Sequence, residues 1–273
     1  MNFLICGSGA AEAWPALFCH CRCCSEARHR GGKDIRSRAA YMLGETIRID
    51  FGPDSNLHAQ KYNLPYERLQ HLLVTHSHWD HWVPEELLWR RSGFSMVPAD
   101  ALLHIYGNAK VRQRLEVALK GEFARYQVEF QELMPWTPRF LSAGVVAIPI
   151  LAAHDRSEDC VNYLIQVNGK TLLQGNDTGW YDEPTWEFLK GYQLDIVILD
   201  STSGKLDAKT GHLGCSWVVN AKGRLEKQGS LASGCRFIAT HFSHNGGWLH
   251  EELEAYFAPH GIEVAYDGLS IPL

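Results

Sequence analysis

The feature that most constrains this chain is the run Thr75-His76-Ser77-His78-Trp79-Asp80-His81, set directly behind the apolar Leu72-Leu73-Val74. Histidine and aspartate are costly to bury unpaired, and neighbouring imidazoles repel one another once protonated. A divalent cation resolves that conflict, because neutral imidazole and carboxylate are its ordinary ligands. The run therefore reads as a strand ending in a metal site, whose remaining ligands must come from elsewhere in the chain.

At 273 residues the chain is long enough for a substantial core, in one large or two small domains. Its 45% apolar and 21% charged residues are those of an ordinary globular protein. The net charge is −5, and the densest basic stretch, Arg28-His29-Arg30 with Lys33, Arg36 and Arg38, is short. That speaks against a nucleic-acid partner, since affinity for a phosphate backbone comes from clustered cations. A small phosphorylated substrate stays compatible. No apolar run reaches the length of a membrane span, and no basic-then-apolar leader opens the chain. Of the eight cysteines, Cys19, Cys21, Cys23 and Cys24 are bunched, while Cys6, Cys160, Cys215 and Cys235 lie singly in apolar surroundings. Without a leader, bunched thiols point to metal and single ones to core, and the expected compartment is the cytoplasm.

Periodicity predicts strands at 2–6, 39–43, 46–50, 70–75, 101–106, 127–132, 145–150, 161–167, 170–174, 195–199, 236–240 and 263–266. Helices are expected from Pro84 to about Trp89 and at 108–123, 183–190, 215–227 and 249–257. Gly44-Glu45 and Asn168-Gly169 read as hairpin turns, while 10–36 shows little periodicity. Strands dominate both halves with helices between and after them, and no linker or repeat divides them. The expectation is two packed sheets with helices outside, in a single domain over 1–273.

His76 and His78 alternate by two, so their side chains leave the backbone on one side; Asp80 and His81 follow a turn. Strand ends downstream offer further ligands: His154 after 145–151, Asp177 in Gly175-Asn176-Asp177-Thr178, and His241 after Phe237-Ile238-Ala239-Thr240. Asp200 has the same local pattern and is read as a hydrogen-bonding residue near the site. Trp14, Trp79, Trp82, Trp89 and Trp180 lie near these segments, as pocket walls or as core.

Taken in order, His-x-His-x-Asp-His, a later His, a Gly-x-Asp-Thr turn and a late Thr-His resemble a metallo-β-lactamase-fold hydrolase over essentially the whole chain. The resemblance implies an α+β architecture, a four-layer αββα sandwich with a dinuclear site at one edge. It places His76, His78 and His154 on one metal, Asp80, His81 and His241 on the other, and Asp177 across both. Two further features resemble the cyclic phosphodiesterases of the carbon–phosphorus lyase pathway for phosphonate degradation. One is Cys19-His20-Cys21-Arg22-Cys23-Cys24, a cysteine-rich loop at about 18–26. Three thiolates there suit a tetrahedral zinc with one position open, for which His244 is placed; Cys19, Cys21 and Cys24 match the family's pattern, with Cys23 as competitor. The other is His212, at the position of the family's non-metal catalytic histidine.

The function implied is hydrolysis of a small cyclic phosphodiester, such as a phosphoribosyl cyclic phosphate. Two cations about 3.5–4 Å apart would share a hydroxide that attacks phosphorus in line, with His212 protonating the leaving alkoxide or orienting the phosphate and Asp80 counted with it as catalytic. Zinc, manganese or ferrous iron fit such donors at the active site, beside one structural zinc. Related enzymes form dimers, so a homodimer is compatible. The rivals are a nuclease of the RNase Z type, a thioester or β-lactam hydrolase, and a non-catalytic accessory protein of cofactor biosynthesis.

Overall fold

The computed structural model describes residues 1–273, apart from the side chain of Ala143. The alternation of side chains along the first strands explains the layering. In β1 (Asn2–Gly7) and β2 (Ala40–Leu43), Phe3, Ile5, Tyr41 and Leu43 face one apolar cluster, while Cys6, Ala40 and Met42 face another. A strand with apolar residues on both faces must be covered on both sides. One face meets the second sheet and the other meets an outer helical layer.

The first sheet continues through β3 (Ile47–Ile49), β4 (His71–Leu73), β5 (Leu103–Gly107) and β6 (Val128–Glu132). The second contains β7 (Arg139–Phe140), β8 (Val146–Leu151), β9 (Val161–Val167), β10 (Lys170–Gly175), β11 (Leu194–Asp200), β12 (Leu231–Thr240) and β13 (Ile262–Val264). The chain then returns to the first sheet as β14 (Ser270–Pro272), beside β1. Both sheets have seven strands, ordered β14-β1-β2-β3-β4-β5-β6 and β13-β12-β11-β10-β9-β8-β7. Each is antiparallel in one half and parallel in the other: β3 to β6 in the first, β10 to β13 in the second. Parallel neighbours need crossovers, and these supply most of the outer helices. They include α2 (Ser55–Tyr62), α3 (Ala109–Leu119), α4 (Glu183–Leu189), α5 (Cys215–Lys227) and α6 (His250–Phe257), with α1 (Arg22–Arg30) in the first loop. The result is the expected α+β sandwich, αββα.

The departures from expectation have local causes. Residues 108–123 form a shorter helix: Asn108 caps it by accepting the Val111 amide, Val111, Leu115 and Leu119 face the core, and Lys120 and Gly121 turn left-handed (φ +52° and +73°). Pro84–Arg90 is a 3₁₀ segment rather than an α-helix. The aperiodic stretch 10–36 contains α1, so Cys23 and Cys24 are helical rather than part of a loop. Its buried face is only Cys23, Cys24 and Ala27, with no large apolar residue, and Arg28 holds it by donating to the carbonyls of Ala16 and Cys19. Helix α2 escapes periodicity because it buries Ser55 and His58. The Asn168-Gly169 turn joins β9 to β10 with both residues at positive φ (+52° and +76°), the type I′ geometry that Asn-Gly favours. Among the described residues, no helix is long and apolar enough to cross a membrane.

Candidate metal centre

Side chains that would carry chemistry gather outside the C-terminal ends of the parallel strands, where crossover loops converge in sheets of this kind. His76, His78, Asp80 and His81 follow β4, Asp177 follows β10 and His241 follows β12. His154, after β8, comes from the antiparallel half. Donor atoms of His76, His78 and His154 lie within 4.8 Å of one another, as do those of Asp80, His81 and His241. Asp177 stands between the groups, with Oδ1 3.7 Å from His154 Nε2 and Oδ2 3.0 and 2.8 Å from Nε2 of His81 and His241. All seven residues expected from sequence therefore converge.

Each imidazole is turned by a bond from its other nitrogen. His81 Nδ1 donates to Asp50 Oδ2 (2.8 Å), His154 Nδ1 to the Gly211 carbonyl (3.1 Å) and His78 Nε2 to Asp155 Oδ2 (3.2 Å). The Thr75 hydroxyl is committed to Asp50, so His76 Nδ1 donates to Thr75 Oγ1 (3.0 Å). The Thr202 hydroxyl faces two acceptors, Asp200 Oδ2 (2.9 Å) and the His241 carbonyl (2.7 Å), so His241 Nδ1 donates to Thr202 Oγ1 (2.7 Å). Such partners fix the tautomer and leave the opposite nitrogen as a lone-pair donor. Asp50 alone orients both His81 and, through Thr75, His76. Sequence reasoning missed it, although it ends a predicted strand in the same way as Asp177 and Asp200. It also missed Asp155 and Thr202, whose partners are distant in sequence. Asp50, Asp177 and His241 all adopt left-handed backbone (φ +61°, +50° and +61°), which non-glycine residues rarely do and which is concentrated at functional sites.

The donor set fits divalent cations. Nε2 of His76, His81 and His241 is buried without a hydrogen-bond partner, although carboxylate oxygens lie within 3.0 Å of the last two. Close nitrogens and oxygens that miss hydrogen-bond geometry are aimed at a common point instead of at one another. The protonation pattern agrees. Burial works against charge on His241, yet Asp177 raises it to about 10, and Asp177, Asp80 and Asp50 likewise raise His81 well above the ordinary histidine range. Burial opposes the charge on Asp177, but His241 and His81 hold it well below the usual carboxylate range. Protons here do the charge compensation that cations would do.

His212 lies at the open side of this cluster. Its Nδ1 donates to Asp200 Oδ2 at 2.9 Å, and its ring centre is 4.9 Å from that of His154 and 5.6 Å from that of His241. The His212 side chain is 31% exposed and Asp200 fully buried. Burial lowers the proton affinity of His212 and Asp200 more than restores it. Asp200 also accepts from the backbone of Thr202 and Leu213, the hydrogen-bonding part expected of it. Of the tryptophans, Trp14 and Trp82 are core residues and Trp79 is exposed.

A second cluster joins Cys19, Cys21, Cys24 and His244, with all donor atoms within 4.8 Å. His244 Nδ1 lies 3.7 Å from Cys19 Sγ and 3.5 Å from Cys21 Sγ. The third sulfur of this group is that of Cys24, not Cys23. Burial raises the Cys21 thiol, but the Cys24 amide and neighbouring side chains bring it down to about 7. Only two residues, Phe242 and Ser243, separate His244 from His241, so one segment after β12 serves both clusters.

The beta-lactamase superfamily domain model matches residues 45–252. The fold resembles a structure described as a new diphosphatase from the PhnP family, with TM-score 0.77 and 23% identity over 99% of this chain and 96% of that one. Zinc-bound PqqB from Methylobacterium extorquens gives a TM-score of 0.75 at 18% identity over 100% of both chains. The short form of human tRNase Z gives 0.66 at 16% identity, over 100% of this chain and 99% of that one. At these identities the likeness is one of fold. Among curated proteins, an octanoyltransferase of Porphyromonas gingivalis (strain ATCC BAA-308 / W83) is 36% identical over 86 residues, 30% of this chain and only 16% of that protein's length.

Proposed function

Because this chain belongs to the beta-lactamase superfamily and is a metal-dependent hydrolase of that fold, we propose that it hydrolyses a small phosphodiester, cyclic esters such as a phosphoribosyl cyclic phosphate included. The observation that carries the reading is Asp177 between two three-donor groups, with His212 braced by buried Asp200 at their open side. His76, His78 and His154 would hold one divalent ion, Asp80, His81 and His241 a second, and Asp177 would touch both; zinc and manganese both suit these donors. Bound there, a cation pair supplies Lewis acidity toward phosphoryl oxygens and an activated water.

The chain's own residues do the rest. Asp50, Thr75, Asp155, Thr202 and the Gly211 carbonyl hold the imidazoles in the required tautomers. Asp200 keeps a proton on His212 Nδ1 and stabilises the charged ring, which lets His212 hydrogen-bond a phosphoryl oxygen or protonate the departing alkoxide. Cys19, Cys21, Cys24 and His244 would hold a structural zinc that anchors the segment presenting His241. The chain's net charge of −5 favours a small ester over RNA.

The test is a panel of cyclic phosphodiesters, bis(p-nitrophenyl) phosphate, RNA and thioesters, each offered to protein loaded with zinc or manganese. Turnover of the small phosphodiesters above the rest is expected. Preferential turnover of RNA or thioesters would overturn the proposal.

A further inference from the structure

We propose that Trp79 selects the organic group of the substrate, offering an aromatic face on which a nucleobase stacks beside the reacting phosphoryl. This rests on the phosphodiesterase reading above and narrows it to esters of mononucleotide size.

Trp79 lies between His78 and Asp80, so its backbone belongs to the metal cluster itself, yet its side chain is 54% exposed. Burying an indole is among the larger apolar gains a fold can make, and here much of that gain is forgone at a position flanked by two of the cluster's donors. One face of the ring is braced: the Arg38 guanidinium carbon sits 5.0 Å from the ring centre. Arg38 is itself immobilised. Its NH1 donates to both Asp54 oxygens (3.0 and 3.1 Å), its Nε to the Ala11 carbonyl (2.7 Å), and its backbone amide to Asp54 Oδ2 (2.9 Å). The Arg38 and Asp54 side chains are only 14% and 19% exposed. The backbone at Arg38 is seated by glycine, because a Cβ on Gly7 would fall 1.9 Å from the Arg38 carbonyl oxygen. Gly7, Ala11 and Asp54 thus combine through Arg38 to hold a single indole as a shelf within the donor-bearing segment.

The shelf's chemistry indicates its occupant. A planar ring with one face already covered by a cation can receive one further flat, π-bearing group, and base–aromatic stacking has this geometry. Bound to Asp54, Arg38 is not free to take a second phosphate.

Adenosine 2′,3′-cyclic phosphate and glycerol 1,2-cyclic phosphate share the same five-membered cyclic diester, with and without a base. In metal-loaded wild-type protein, kcat/KM should favour the adenosine ester. Trp79→Ala should lower the ratio of the two kcat/KM values about tenfold, within what one base stack contributes, and Trp79→Phe should largely restore it. A loss of metal or of folded protein lowers both activities together and leaves the ratio unchanged. A ratio that is the same in wild type, Trp79→Phe and Trp79→Ala would overturn the shelf while leaving phosphodiester hydrolysis standing. If the wild type hydrolyses neither ester, the cyclic-ester part of the phosphodiesterase reading fails. The shelf is then judged by calorimetric binding of adenosine 5′-monophosphate, where weaker binding to Trp79→Ala supports it and equal binding refutes it.

Discussion

Replacing Asp50 by Asn keeps the size of a fully buried side chain but exchanges one acceptor for a donor. The wild-type carboxylate accepts the Thr75 amide (2.8 Å) and hydroxyl (2.9 Å) on Oδ1 and His81 Nδ1 (2.8 Å) on Oδ2. The Thr75 amide can only donate, so the Asn oxygen must stay on that side. Its NH₂ then meets His81 Nδ1. Two donors cannot share a 2.8 Å contact, and the way out is to move the His81 proton to Nε2. That is the nitrogen lying 3.0 Å from both Asp80 and Asp177, and a protonated nitrogen is no ligand. Mutating such orienting partners lowers metal affinity by about 10–100-fold, or about 1.4–2.8 kcal/mol. Competition with a chelator of known affinity measures this directly, with bound metal counted in parallel. An Asp50→Asn protein that folds normally and binds metal within about threefold of wild type would refute the reasoning.

Other substitutions separate the remaining parts. His212→Ala should lower kcat by about 10²–10⁴, the range for losing a general acid, with metal content unchanged; unaltered turnover would remove His212 from the chemistry. Cys21→Ser should reduce zinc to below that of the wild type and lower Tm, read by elemental analysis and calorimetry, because bound metal contributes to folding. Away from both clusters, burial and then the stacked His104 depress His71 to about 4, and its Nε2 accepts the Ser142 amide at 3.1 Å. The unfolded chain takes up that proton near pH 6.5 and the folded protein only near 4, so stability should fall as pH drops through this window. Comparing urea unfolding of metal-free wild type and His71→Gln at pH 7 and 5 isolates the effect, and equal pH dependence would exclude it.

The strands were the most legible part of the fold. The strand 161–167 matches periodicity residue for residue, as does helix α5 at 215–227, because their apolar residues meet a core that favours one register. Helices α1 and α2 were illegible for the opposite reason. Cys21 caps α1 through its thiol and the helix buries only Cys23, Cys24 and Ala27, while α2 buries His58 against Ser37 and Arg48, so neither advertises a stripe of large apolar residues. Ligand candidates stood out because each follows an apolar strand. Asp50 had that pattern too, but without a clustered neighbour nothing in the sequence distinguished its role.

The sequence by itself determined the chemistry available: imidazoles, carboxylates and thiolates at strand ends, in an order that resembles a known hydrolase family. These properties are local, set by residue type and by the two-residue period of a strand. Tertiary structure alone decided which of them meet. It put Asp177 between two groups drawn from β4, β8 and β12, turned every ligand ring but that of His76 through a distant partner, and gathered Cys24 rather than Cys23 beside His244. It also left Trp79, between two of the donors in sequence, exposed with one face against Arg38. Those outcomes depend on distances between residues up to 225 positions apart, such as Cys19 and His244, which only the packing of two sheets sets.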